Sequence, residues 1–143
     1  RNARFVSTLS TLAMTFPPIM HRSAFEAYVL TLPAATLVRQ WRDDSVAKVG
    51  GKIFCLLDRD PGDIWLKVSD MAYDVMTGME GIRPAPYFAR AGWVAISHQS
   101  ELADVDLRAY ITEAHRLVAG RLSRKVRAEL GLDADPVAQG RMA

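Results

Sequence analysis

Leu32–Val68 reads LPAATLVRQWRDDSVAKVGGKIFCLLDRDPGDIWLKV, and its centre is Val49-Gly50-Gly51-Lys52. Two glycines between two apolar-rich runs supply the two positive-φ residues that a two-residue hairpin turn needs. Ser45–Val49 and Lys52–Asp58 are therefore predicted as paired strands. In the second, strict alternation puts Ile53, Cys55 and Leu57 on one face and Phe54 and Leu56 on the other. Being apolar on both faces, this strand is expected at the centre of a sheet. Upstream, Ala35–Trp41 reads as a strand with Leu37, Arg39 and Trp41 on one face, followed by an Asp43-Asp44 turn. Downstream, Asp63–Val68 reads as a fourth strand with Trp65 and Lys67 opposite Ile64, Leu66 and Val68.

Pro17-Pro18 marks an extended lead-in. Next comes a helix over Ala24–Leu32, with Ser23 as N-cap and Glu26 completing a capping box. Phe25, Tyr28, Val29 and Leu32 form its apolar stripe, and Pro33 stops it. Beyond the fourth strand, Ser69 or Asp70 caps a helix over Met71–Met79, with Met71, Val75 and Met79 at its apolar positions. Arg83-Pro84-Ala85-Pro86 fits only a loop or a sheet edge, and Trp93–Ser97 is a further strand. From Asp104 or Asp106, Leu107, Ile111, Ala114, Val118, Leu122, Val126 and Leu130 follow steps of three and four, the buried face of a long helix. Gly120 is placed to weaken or bend it. The fold class is α+β: a two-layer sandwich, an antiparallel meander with the N- and C-terminal helices on one face.

With 143 residues, half of them apolar and 24% charged, the chain is the size of one domain with its own core. Residues 20–131 are assigned to that domain. Residues 1–19 carry Arg, Ser and Thr but no acid, a composition that can mimic a transit peptide; a vector-derived or upstream translated leader is the favoured reading. Residues 132–143 are expected to form a mobile tail. A net charge of +2 makes no bulk argument for nucleic acid, so any such argument needs a local patch. The lone Cys55 excludes an internal disulfide and suits a reducing cytoplasm. No apolar run approaches a membrane span, and no membrane partner is expected.

The ordered set Leu32-Pro33, Trp41, Val49-Gly50-Gly51-Lys52-Ile53-Phe54, Lys67, Gly92-Trp93 and a long helix from Leu107 resembles the MmcQ/YjbR-like family over about Phe25 to Leu122. Where many members carry a His-Pro pair before the hairpin, this chain has Asp44-Ser45. The resemblance implies a CyaY-like α+β fold, similar to frataxin in outline. It also implies DNA binding through a "double wing" of hairpins.

The residues themselves argue against catalysis. Cys55 sits mid-strand between Phe54 and Leu56, a setting for a buried small hydrophobe rather than a nucleophile. His21, His98 and His115 lack metal-ligand spacing, and Asp43, Asp44, Asp58, Asp60 and Asp63 fall in turns. Gly50-Gly51 lies between strands, not ahead of a helix, so it is no phosphate cradle. Neither an enzyme nor a cofactor is expected. The candidate nucleic-acid-binding residues are Arg39, Trp41, Lys48, Lys52, Trp65, Lys67 and Trp93, a basic-aromatic sheet face suited to stacking on bases and neutralising phosphates. Arg116, Arg121, Arg124, Lys125 and Arg127 form a second basic run, for which a solvated helix end is the simpler reading. The alternative is a protein- or small-ligand-binding domain, or a homodimer, formed on the open sheet face around Trp41, Trp65 and Trp93.

Overall fold

In a computed structural model, residues 19–58 and 62–132 are described; the expected leader, apart from Ile19, and nearly all of the expected tail lie outside them. The elements in order are α1 (Arg22–Val29), β1 (Ala35–Gln40), β2 (Asp44–Val49), β3 (Lys52–Leu57), β4 (Ile64–Lys67), α2 (Asp70–Met76), β5 (Ile82–Pro84), β6 (Trp93–Ile96), α3 (Asp104–Ala119) and α4 (Arg124–Glu129). Among the described residues the strands make one six-stranded sheet, ordered β1-β2-β3-β4-β6-β5, with every pairing antiparallel. The α+β sandwich is as read from the sequence, but the meander is not complete. It holds through β4, after which β6 enters beside β4 and β5 is left outside. Pro84 cannot donate to a ladder, which suits an edge strand.

The central hairpin forms at Gly50-Gly51, with φ of 60° and 80° and Val49 opposite Lys52. Positive φ at both turn residues is the hairpin geometry that matches strand twist. One irregularity overturns the alternation expected for β3. Ala47 pairs with Cys55 but Lys48 pairs with Ile53, so Phe54 is an extra residue. Such a bulge inverts the facing of what lies beyond it. Phe54, Cys55 and Leu57 all enter the main core, while Ile53 packs in a separate cluster with Ala85, Trp93 and Ala95.

The main core lies between the sheet and the helices. Phe25 and Val29 of α1, Met76 of α2 and Leu107, Ile111 and Ala114 of α3 meet Ala47, Val49, Ile64, Leu66, Val94 and Ile96. His115 is buried there, its Nε2 2.8 Å from the Pro33 carbonyl. A carbonyl only accepts, so Nε2 carries the proton. The ring meets Phe54 edge-on at 5.1 Å. The last helix does not run through to Leu130. It stops at Ala119, the chain turns through Gly120–Ser123, and Ser123 caps α4 by accepting from Val126 N at 3.1 Å.

Two further expectations fail for tertiary reasons. Helix α1 begins at Arg22 with His21 at the N-cap position, so Ser23 is inside the helix and there is no capping box. The Glu26 carboxylate is taken instead by Arg39 Nε at 2.8 Å and Ser45 Oγ at 2.6 Å. Ser45 in turn accepts from Arg22 at 2.7 Å. Helix α2 ends at Met76, short of the expected Met79; Met71, Val75 and Met79 are exposed, and Met76 supplies the buried contact. Ser69 does cap α2, accepting from Ala72 N at 3.1 Å.

The Glu26 cluster has a pH signature. The hydrogen bond from Arg39 holds the carboxyl below its ordinary 4.5, helped by Ser45 and the charges of Arg39 and Arg22 and opposed by burial. A lowered folded pKa stabilises the fold above the unfolded value, and the gain is lost as pH falls through the folded one. Glu26→Gln should lower stability by about 1 kcal/mol at pH 7. In thermal unfolding followed by circular dichroism, the gap from wild type should close as the pH drops below 4.5; a gap that persists at pH 3 refutes the assignment.

Candidate nucleic-acid interface

The seven residues expected to make a binding face are divided by the structure. Arg39 is opposite Ser45, on the helix-bearing side, and is ion-paired to Glu26 at 2.8 Å and Asp43 at 3.2 Å. Trp41 follows β1 in the turn, 59% exposed with φ of 58°. Lys48 is half-buried on the second face, opposite Thr36 and Ile53. Trp65 and Trp93 share that face, but Phe88 packs over both at 6.0 and 5.2 Å. Trp93 is only 7% exposed. The β5–β6 connection thus packs on both tryptophans through Phe88. Around Trp65 and Trp93 the sheet face is therefore not the open surface expected, because Phe88 hides apolar ring area that water would otherwise surround.

What the structure brings together is a basic end. Gly50 lies so close to Leu122 that a Cβ there would sit 2.6 Å from the Leu122 Cδ1. This contact seats the β2–β3 hairpin tip on the junction between α3 and α4. Exposed Lys52 from the tip thus lies at the same end as exposed Arg121, Arg124 and Lys125. Two basic arginines of the run are committed elsewhere. Arg116 binds Glu113, its Nε donating at 2.9 Å and Nη2 at 2.5 Å. Arg127 donates to the Leu122 carbonyl at 2.6 Å, closing the turn after α3. None of Lys52, Arg121, Arg124 and Lys125 makes an ion pair among the described residues.

Arg121 also lines an open groove of about 550 Å³ with Lys67, Asp70, Tyr73, Asp74 and Arg90. Gly92 and Trp93 also line it. The Lys67 ammonium donates to the Ala91 carbonyl, which fixes its head at the groove and leaves other donor hydrogens free. Asp70 and Asp74 stand four apart on α2, but no local spacing links them to Arg90 in the β5–β6 connection or to Arg121 after α3.

Cys55 lies on an inner strand of the sheet. It is fully buried, and burial pushes its thiol well above the ordinary range, away from the thiolate that a nucleophile requires. Among the described residues, no group of three or more His, Cys, Asp or Glu could hold a metal ion, and no helix is long and apolar enough to cross a membrane.

The fold and its VGGK hairpin define a YjbR-type α+β domain. The YjbR family profile matches residues 30–117, and the chain belongs to that family. A Deinococcus radiodurans protein with a DUF419 domain has a similar fold: TM-score 0.71 at 21% identity, covering 80% of this chain and 90% of that one. A Pseudomonas syringae protein solved in structural genomics gives a TM-score of 0.58 at 19% identity, covering 68% of this chain and 98% of that one. No match was found among curated proteins.

Proposed function

We propose that this YjbR domain is a non-enzymatic DNA-binding module that grips the phosphate backbone with its basic end. The observation that carries the reading is the seating of the hairpin tip on Leu122, which gathers Lys52, Arg121, Arg124 and Lys125 from distant parts of the chain. A cluster of cations without carboxylate partners is the electrostatic footprint of phosphate binding. The β2–β3 hairpin acts as a wing through Lys52, with Lys48 and Lys67 on the flank. Arg39, Trp65 and Trp93 have structural duties instead. A net charge of +2 is no obstacle, since the local patch and not the sum sets the field at the contact.

Fluorescence anisotropy with labelled DNA tests this. Weak binding, with a dissociation constant on the order of 10⁻⁴ to 10⁻⁶ M, is expected, weakening steeply between about 50 and 200 mM salt. The double variant Lys52→Glu/Lys125→Glu should bind more weakly for every sequence, with a salt slope shallower by about two. No binding at low salt, or unchanged binding by the double variant, rejects the proposal.

A further inference from the structure

The groove beside the basic end holds charges of both signs that stay apart. Lys67, Arg90 and Arg121 share its walls with Asp70 and Asp74. Yet neither carboxylate forms an ion pair with any of these cations among the described residues. Opposite charges around one concavity, left unneutralised, complement a ligand that is anionic at one end and a hydrogen-bond donor at the other. Guanidinium groups match phosphate oxygens in fork geometry. Aspartate accepts from the exocyclic amino group of a base such as cytosine. Tyr73 lies between the aspartates in sequence, lines the groove and packs against the main core, which holds this side of the groove in place. A volume of about 550 Å³ is within the usual range for small-ligand sites.

We infer that this groove takes one unstacked nucleotide. Arg90 and Arg121 hold its phosphate, and Asp70 and Asp74 receive the amino group of its base. The inference rests on the DNA-binding reading for the biological source of the nucleotide, a single-stranded or frayed end, but its chemistry is independent of it. Paired bases in a duplex keep their amino groups engaged, so the groove selects unpaired amino-bearing bases over uracil or thymine. Uracil presents a carbonyl oxygen where cytosine presents its amino group, and the two carboxylates repel it.

Titration of the full chain with CMP, UMP and inorganic phosphate, followed by two-dimensional amide NMR, tests this. CMP should shift the amides of residues 67–74 and 89–93 and bind about tenfold more tightly than UMP. Asp70→Asn/Asp74→Asn should abolish that preference while phosphate still binds, and Arg90→Glu/Arg121→Glu should weaken all three ligands. All four side chains are exposed, and the amide spectrum itself reports whether each variant is folded. Equal affinity for CMP, UMP and phosphate, shifts confined to other surfaces, or no shifts at all would overturn the inference. Lys52→Glu/Lys125→Glu separates the two readings, since it should weaken DNA binding and leave CMP binding unchanged. DNA binding without CMP binding sinks the groove alone. CMP binding in the groove without DNA binding sinks the basic-end reading and leaves a site for a free nucleotide. An oligo-dC strand that competes with CMP for the same amides identifies the strand as the source.

Discussion

Gly81→Ala is expected to cost the domain about 3 kcal/mol and to lower its unfolding midpoint by about 10 °C. Gly81 precedes β5 with φ of 84°, a conformation that an L-residue adopts at a cost of about 1–2 kcal/mol. The new methyl would also meet backbone rather than a flexible side chain, lying 2.6 Å from the Gln99 carbonyl carbon and within contact of the Ser100 amide. The Gly81 carbonyl is meanwhile fixed by Ser97, accepting from its N at 2.8 Å and its Oγ at 3.0 Å. Gly81 cannot retreat without breaking these bonds, and the Ser100 N–H is itself held by the Ser97 carbonyl at 3.0 Å. Because Gly81 ties the start of β5 to Ser97, the variant should also loosen β5 and, through it, Phe88 over the tryptophans, raising tryptophan quenching by acrylamide. A thermal midpoint within about 2 °C of wild type, on a scale of a few degrees per kcal/mol, would refute a steric role for Gly81 against Ser100.

The second large effect is at the bulge. Phe54→Ala should destabilise by about 3–5 kcal/mol, as removal of a fully buried aromatic ring does. Phe54 is wholly inaccessible and packs edge-on against His115. The facing of the ring is tested separately by NMR of the His115 imidazole. Losing a neighbouring ring at 5.1 Å removes its shielding, so the His115 carbon-bound protons should move in the milder Phe54→Leu variant, which keeps most of the buried volume. Had strict alternation held, Phe54 would lie across the sheet from α3, and the His115 signals would stay in place.

The elements were legible wherever local chemistry decides structure. The VGGK turn, the Ser69 cap, the edge placement of Pro84 and the buried steps Leu107, Ile111 and Ala114 all follow from rules acting over a few residues. What was not legible depends on pairing and packing between distant segments. The bulge at Phe54 comes from the register against β2, which no period within β3 encodes. Met71, Val75 and Met79 have helical spacing, but Met76 and the ring of Tyr73 win the core side of α2. Glu26 has a local capping option and a tertiary one, and Arg39 with Ser45 outbids a lone Ser23. Of the candidate site, Lys52 and the arginine-rich end of the last helix were each visible as charge. Their convergence was not, because it hangs on Leu122 touching Gly50, residues that share no motif. The groove was hidden for the same reason, its walls coming from β4, α2, the β5–β6 connection and the end of α3.

Cys55 acquires a use from its position. It is the one thiol in the chain, fully buried on an inner strand between β2 and β4, so an alkylating reagent reaches it only after the sheet opens. When reclosing is fast, the rate of labelling reports the free energy of that opening directly. The native chain thus carries its own reporter of sheet opening, one that needs no engineered tag and sits away from both the basic end and the groove.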